Sequence, residues 1–359
     1  MTQPDPKTHP HQAPHARLHI TKCSTLDETG DVKKGVKTVG VQRQYTGTAG
    51  RIENAQVTVC LAYAVSDAHA LVDAELYLPK SWTADPARLA EAGVPGDVAF
   101  ATKPALAARM IGRALDGGVR AGWVAGDEVY GADAGLRQTL VDKGVGYVLA
   151  VRRDYRVSPA AGVAGKAEDL AARWAKRAWN PMSAGSGAKG DRAYLWAWTE
   201  IAPPGVDGPG FHYLLARRHP KSQEMAFYLC FSPAKARLGA LVRVAGRRWR
   251  VEESFQQSKE LAGLDQHQVR RWDSYHRWVT LVMWAYALLV TVTLAARARE
   301  PDRPGMVRLS VNEVRRLLTA DLPRRTRAFA LAWSTWRRKH QHRARLAHYR
   351  RRSGDEVWL

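Results

Sequence analysis

The order of strand and helix patterns between residues 56 and 151 limits the folds that are open to this chain. β-Branched or alternating runs come first, and helical spacing then alternates with short apolar runs. In chain order the predicted elements are strands Gln56–Val65 and Ala70–Leu78, helix Pro104–Leu115, strand Gly122–Gly126, helix Ala134–Lys143 and strand Gly146–Val151. Strands followed by alternating helix and strand predict a mixed α/β sheet flanked by helices.

The segments on either side of this region predict how the chain is divided. Residues 22–26 (KCSTL) are a poor β sequence, and we expect any strand there to end at Asp27–Asp31. Three later runs, 193–201, 211–216 and 225–231, predict an antiparallel β insertion, and helical spacing returns at Leu238–Leu261. The predicted division is a disordered segment at 1–21, a core at 22–153, a β insertion at 154–231, a second part of the core at 232–300 and a basic C-terminal region at 301–359.

An apolar run of 18 residues, Val279–Ala296, carries no charged side chain. That length approaches what a membrane-spanning helix needs. The run also contains Tyr286 and several Thr residues, and it stands alone in the chain. We therefore expect a fully buried core helix and no association with a membrane.

The charge balance indicates a polyanionic partner. The chain has 55 Lys and Arg residues against 34 Asp and Glu residues, a formal net charge of +21. Such an excess is typical of proteins that bind nucleic acid. The three cysteines show no Cys-x2-Cys pairing, which argues against a disulfide framework or a zinc site. The first residues lack the apolar region of a signal peptide, so we expect a cytoplasmic protein.

Many of the cations lie near the C-terminal end. Residues 324–352 contain eleven Lys or Arg residues, among them Arg337, Arg338 and Lys339, and no acid. So unbalanced a run would repel itself unless a polyanion neutralised it. We expect this basic tail to contact the phosphate backbone of double-stranded DNA.

The segment from Arg248 to Lys259 contains no Gly or Pro and predicts a helix. At about 100° per residue, Arg248, Glu252 and Lys259 fall within roughly 40° of one another on one face. A carboxylate between two cations suits a site that handles phosphate and metal. The same stripe is typical of an exposed helix with weak ion pairs, and spacing alone favours that second interpretation.

Two further acids, Asp27 and Asp127, are predicted to follow strands, the position where functional acids of open α/β sheets are found. Together with one carboxylate from a helix, they would make a compact set of oxygen ligands for Mg²⁺ or Mn²⁺. Each acid alone is more typical of a turn or a helix cap. Glu28 follows Asp27 by one residue, so we expect its side chain to point away from the site.

Three ordered motifs resemble the DDE transposases of bacterial insertion sequences. They are Asp27-Glu-Thr-Gly followed by Lys33-Lys34-Gly, then Gly126-Asp127-Glu-Val-Tyr-Gly, and finally Arg248-x3-Glu252-x6-Lys259. The most similar branch has its glutamate in a Tyr-x2-Arg-x3-Glu-x6-Lys helix, and Ala245 occupies the Tyr position here. The resemblance covers roughly residues 24 to 352.

The resemblance implies an RNase H-like core with a β insertion before the glutamate helix. It also implies cleavage at the ends of an element, followed by joining of the freed 3′-OH to target DNA. Two divalent ions would activate the nucleophile and stabilise the leaving oxygen. A homodimer on DNA is expected.

The residues that match the family's motifs take the corresponding expected roles. Asp27, Asp127 and Glu252 would hold two Mg²⁺ or Mn²⁺ ions, and Arg248 and Lys259 would bind phosphates beside the scissile bond. The basic loop with Lys33 and Lys34 is a further candidate for contact with DNA. An insertion aromatic stacks on a displaced base in related transposases, although core packing is expected for most of the candidates, Trp174, Trp179, Trp196 and Trp198. For His267, contact with DNA and simple packing are equally open.

The chain departs from the family pattern near its beginning. Relatives carry a helical region before the first catalytic Asp, whereas 26 residues precede Asp27 here. The KCSTL run also lacks the apolar β-formers of the expected first strand. A second hypothesis therefore stays open, in which the chain is a truncated, catalytically inactive DNA-binding remnant.

Overall fold

A mixed β-sheet of ten strands forms the centre of the protein, and helices pack on both of its faces. The computed structural model describes residues 22–160, 162–187, 190–300, 303–319 and 327–353. The disordered segment predicted for residues 1–21 lies outside this described part of the chain.

The strands and helices follow one another much as the sequence predicts. The strands are β1 Cys23–Val32, β2 Gln42–Thr46, β3 Arg51–Ala64, β4 His69–Leu76, β5 Trp123–Gly126, β6 Gly146–Val151, β7 Arg156–Val157, β8 Gly165–Lys166, β9 Asn180–Gly187, β10 Gly190–Glu200, β11 Phe211–Arg218 and β12 Met225–Ser232. The helices are α1 Lys80–Thr83, α2 Pro86–Ala92, α3 Lys103–Asp116, α4 Glu128–Gly131, α5 Ala134–Asp142, α6 Ala167–Ala172, α7 Leu238–Arg247, α8 Trp249–Ala262, α9 Trp272–Arg299, α10 Val311–Leu318 and α11 Arg327–Ser353.

The sheet joins an antiparallel part to a parallel part. Its order is β2-β3-β1-β5-β6-β12-β11-β10-β9, and β4 also pairs with β3. Strand β1 runs antiparallel to β3 and parallel to β5, and β5 runs parallel to β6. This large mixed sheet with flanking helices is consistent with the RNase H-like fold that the family resemblance implies. The strands predicted for the insertion continue the same sheet, because β12 pairs directly with β6.

Alternation along the central strands divides the core between the two faces of the sheet. On one face, Leu26, Val59 and Val124 are fully buried together with apolar residues of α3 and α5. On the other face, residues one position along the strands, such as Cys60, pack with apolar residues of α8 and α9. Leu26 thereby anchors the strand of the first motif in one core, and Val251 and Phe255 anchor the helix of the last motif in the other.

Strand β1 is longer than the sequence predicts. The KCSTL segment is a poor β sequence, yet β1 continues through Asp27 to Val32. It lies between β3 and β5 in the sheet, where Ser24 and Thr25 are buried. Pairing on both sides overrides the weak intrinsic preference of these small residues, because strand propensity depends strongly on context. Strand β1 thus includes Asp27–Asp31, and the prediction that the strand ends at this segment is wrong.

The helix predicted for Leu238–Leu261 is divided in two at Arg248, where α7 ends and α8 begins. Close packing accompanies this junction. A Cβ atom added at Gly246 would lie 2.0 Å from the carbonyl oxygen of Ala184 on β9. Only a residue without a side chain fits there without a shift of the backbone.

Helix α9 is less buried than the sequence predicts. Trp284 is 71% exposed and Leu288 is 63% exposed, whereas Val282 and Tyr286 on the opposite side are buried. By length and composition alone this helix could cross a membrane. The expectation of a fully buried core helix is wrong, because α9 packs on the sheet through one face while much of its other face stays apolar and exposed.

Candidate catalytic site

Asp27 and Asp127 lie at the edge of the sheet where two neighbouring parallel strands separate. Strands β1 and β5 pair only through Cys23–Thr25 and Trp123–Ala125. Beyond that ladder β1 continues along β3 and carries Asp27, whereas the chain after β5 turns into the short helix α4. Asp127 caps α4 by accepting a hydrogen bond from the Val129 N–H at 2.9 Å. The gap between the diverging strands is therefore lined by carboxylates.

Glu28 is the third acid in this gap. Oxygen atoms of Asp27, Glu28 and Asp127 all lie within 4.8 Å of one another. The expectation that Glu28 points away is wrong, because other side chains draw its carboxylate toward the site. Glu28 accepts hydrogen bonds from the Lys103 ammonium at 2.6 Å and from the Tyr130 hydroxyl at 3.0 Å.

The electrostatics of this acid cluster favour a cation. Burial, followed by the nearby charge of Asp127, raises the pKa of the Asp27 carboxyl from 3.8 to about 7. Burial and the charge of Glu28 also raise the pKa of Asp127. Ionising both acids together is costly at this separation unless positive charge is added. Hard carboxylate oxygens at such spacing are the donors that Mg²⁺ or Mn²⁺ takes in proteins, so the residues present fit such an ion.

Arg248 connects this cluster to Glu252. Its Nη1 atom donates to Asp27 Oδ2 at 3.3 Å and its Nη2 atom donates to Glu252 Oε1 at 2.6 Å. The residue lies at the junction of α7 and α8, and its side chain is 27% exposed. One guanidinium therefore bridges the acid of the first strand and the acid of the helix. Glu252 stands beside the cluster, across this bridge from Asp27.

The other cations predicted to contact phosphate outside the basic tail occupy different surroundings. Lys259 is half-buried on α8 and its ammonium lies 3.4 Å from the Thr48 hydroxyl. Lys33 is buried, pairs with Asp31 and donates to the His267 carbonyl at 2.9 Å, so its charge is already satisfied within the protein. Lys34 is exposed. Of the two loop lysines, Lys34 is the one that presents its charge to solvent.

Residues 327–352 of the basic tail lie in helix α11, and two of the predicted DNA-binding cations face inward. Arg338 is 5% exposed and donates to both oxygens of Glu300 at 2.6 and 2.7 Å. Arg337 pairs with Glu313 on α10. These arginines attach α11 to the neighbouring elements, whereas Lys339 is exposed.

The aromatic and histidine candidates are largely packed. Trp179 and Trp196 are buried, and Trp174 and Trp198 pack against the core in part. His267 is 4% exposed and lies 3.4 Å from Asp31. Of the two alternatives open for His267, the structure corresponds to packing.

Sequence reasoning missed the residues that support the acid cluster. Lys103 begins α3 and Tyr130 lies in α4, and both contact Glu28. The Gly126-Asp127-Glu-Val-Tyr-Gly131 motif contains Tyr130, three residues after Asp127, and the Tyr130 side chain is fully buried. Gly131 also permits close packing, because an added Cβ would lie 1.9 Å from the Ala150 carbonyl oxygen. Lys103 carries no local pattern that marks it.

Two comparisons with known proteins agree with the motifs. Residues 10–177 match the family model described as DDE superfamily endonuclease. A stretch of 133 residues is 31% identical to the probable transposase for insertion sequence element IS701 of Microchaete diplosiphon. That stretch covers 37% of this chain and 32% of the relative, so the chain spans about a third of the length of the curated relative that it matches. The resemblance to DDE-type insertion-sequence transposases is thereby confirmed.

Proposed function

We propose that this chain, which resembles the DDE-type transposases of insertion sequences, is a transposase core. It would cut DNA at the ends of an element and join the freed 3′-OH to target DNA. The observation that carries the proposal is the meeting of Asp27 and Asp127 at the diverging ends of β1 and β5, with Arg248 and Glu252 beside them. That arrangement has the chemistry that phosphoryl transfer on a polyanion requires.

Asp27, Asp127 and Glu252 are the proposed metal-holding residues, and Glu28 lies close enough to Asp27 and Asp127 to join them. Two bound Mg²⁺ or Mn²⁺ ions would supply activation of the attacking oxygen and stabilisation of the leaving oxygen. Arg248 and Lys259 would bind non-bridging phosphate oxygens. For Arg248 this needs a change of partner, because its guanidinium now contacts two carboxylates. A planar guanidinium can exchange a carboxylate for a phosphate at little geometric cost.

Double-stranded DNA is the proposed partner, in the cytoplasm and without a membrane. The net charge of +21 supports this, as do the exposed cations Lys34 and Lys339. Affinity should fall steeply with salt, because phosphate contacts release counterions. A homodimer on DNA is part of the same proposal, since two ends of an element must be held together.

A plasmid-nicking assay tests the proposal. The full chain is incubated with Mn²⁺ and a supercoiled plasmid that carries the terminal sequences of the element. Asp127→Asn should lower the nicking rate by at least about a hundredfold, because it removes a ligand interaction worth several kcal/mol. Asp133→Asn is the matched control. Asp133 caps the next helix, α5, and asparagine caps equally well, so nicking should be unchanged.

The same assay distinguishes the second hypothesis, an inactive DNA-binding remnant. A remnant would bind the plasmid with a strong salt dependence and would show no metal-dependent nicking in the unsubstituted protein. That result would refute the enzymatic proposal and leave the DNA-binding proposal standing.

A further inference from the structure

Arg137, on helix α5, is buried without an acidic partner in the described part of the chain. It is 2% exposed. Its Nε atom donates to the Asp133 carbonyl at the long distance of 3.4 Å, and its Nη1 atom has no hydrogen-bond partner. Burying a charge is costly unless that charge is paired and hydrogen-bonded. Arg137 therefore lacks the counter-charge that its surroundings require.

The other deeply buried cations of the described residues have such a counter-charge. Lys33 pairs with Asp31, and Arg338 pairs with Glu300. The acid nearest to Arg137 in sequence, Asp133, is used differently, since its Oδ1 atom caps α5 by accepting from the Leu136 N–H at 2.7 Å. Both ring nitrogens of His212, whose pKa is lowered by burial and by the charge of Arg137, also lack partners. The surroundings of Arg137 are thus polar and incompletely satisfied.

A cavity of about 430 Å³ lies next to the Arg137 side chain. Its lining includes Tyr155, Arg156, Ser158 and residues 202–205, and the Ala202 N–H donates to the Ser158 carbonyl at 2.8 Å. The described lining residues include two arginines and two hydroxyl groups but no acid. A water molecule occupies about 30 Å³, so the cavity has room for a group of several heavy atoms.

The cavity lies toward the same edge of the sheet as the catalytic acids. Tyr155 to Ser158 follow the end of β6, which runs parallel to β5, the strand that leads to Asp127. Ala132 and Ala134, which also line the cavity, follow Asp127 within seven residues. A ligand in the cavity is therefore separate from the acid cluster but close to it along the chain.

We propose that this cavity is a binding site for a phosphate-type oxyanion. Arg137 would contact the anion from the buried side, and Arg156 and Ser158, which are exposed, would contact it from the solvent side. A guanidinium fork matches phosphate oxygens in geometry and charge. The anion is either a free phosphate or a backbone phosphate of bound DNA. The binding site itself does not rest on the proposed catalytic function.

Thermal unfolding tests the site with inorganic phosphate as the probe. The melting temperature of the full chain is measured as phosphate replaces chloride at constant ionic strength. When the phosphate concentration is many times the Kd for the folded state, the melting temperature should rise by at least about 2 °C. Arg137→Met should abolish this rise without lowering the melting temperature in chloride, because it removes an unpaired buried charge.

Arg192→Met is the control variant. Arg192 is half-buried and donates to the carbonyls of Ala184 and Gly246, so its loss should lower the melting temperature while the response to phosphate remains. An equal response to phosphate in the wild type and Arg137→Met would overturn the proposal.

A measurement on the unsubstituted protein guards against a variant that does not fold. Phosphate should slow amide hydrogen exchange in residues 132–138 and 155–158, and unchanged exchange there would overturn the proposal. Binding to a double-stranded oligonucleotide at several salt concentrations identifies the source of the anion. Arg137→Met should reduce the slope of log affinity against log salt by about 0.9 if the anion belongs to DNA. An unchanged slope together with a lost thermal response assigns the site to free phosphate.

Discussion

Replacing Asp27 with asparagine should stabilise the metal-free protein at high pH. Burial, and then the charge of Asp127, raises the pKa of Asp27 from 3.8 to about 7. Between these two values the folded state binds a proton that the unfolded state has released. Stability therefore falls as pH rises from about 4 through 7, and the loss is complete above the folded-state pKa. Asparagine removes the ionisation and with it this loss.

The size of the effect follows from the same values. A difference of one bound proton changes the free energy of unfolding by about 1.4 kcal/mol per pH unit. The two pH units between pH 5 and pH 7 therefore set an upper limit near 3 kcal/mol. The Asp27 side chain is 16% exposed, which weakens the effect through solvent screening. We expect the stability of Asp27→Asn relative to the wild type to increase by about 1–3 kcal/mol between pH 5 and pH 8.

Urea unfolding of both proteins in EDTA at pH 5 and pH 8 gives this difference directly. Asparagine can keep the contact in which Oδ1 accepts from the Glu28 N–H at 2.8 Å, so the comparison reports mainly on charge. Added Mg²⁺ should reverse the order at pH 8, because the ion stabilises only the protein that keeps its carboxylate. A stability difference that does not change with pH would refute the reasoning that burial and mutual repulsion dominate this site.

Two further substitutions test how the site and the tail are held. Gly131→Ala should lower the free energy of unfolding, measured by thermal denaturation, by about 3 kcal/mol or more, because its Cβ would collide with the Ala150 carbonyl. Gly96→Ala, with open space around it, is the control and should have little effect. Glu300→Gln should lower the free energy of unfolding by about 1–3 kcal/mol, because it leaves Arg338 without its anion, and limited proteolysis should then cut α11 faster. Asp273→Asn, which removes an exposed and long ion pair, should not change the cleavage rate.

The sequence predicts the regular elements that have strong patterns. The strand at Gly146–Val151 has the predicted bounds, and the helix predicted at Pro104–Leu115 extends by one residue at each end. Strand β1 is predicted poorly, because its small polar residues become strand only through their neighbours on both sides. Local preference carries no information about that pairing.

The candidate site likewise has residues that the sequence predicts and residues that it does not. The motifs identify Asp27, Asp127, Glu252 and Arg248 as candidates. The structure brings Asp27 and Asp127 together and links Glu252 to Asp27 through Arg248. The place of Glu28 depends on contacts with Lys103 and Tyr130, which lie 75 and 102 residues away in sequence. The inward direction of Arg338 likewise depends on Glu300, 38 residues away, and a count of charges cannot reveal it.

The bridge between Arg248 and Asp27 joins residues that are 221 positions apart. During synthesis the ribosome adds about 5–20 residues per second, so Asp27 leaves it on the order of ten to forty seconds before Arg248 does. Once residue 127 has also emerged, the strands that lead to Asp27 and Asp127 can pair, while α8 does not yet exist. A nascent chain would thus hold two of the three motif acids without the third. A product that stops before Glu252 would therefore lack the third acid of the proposed nuclease centre.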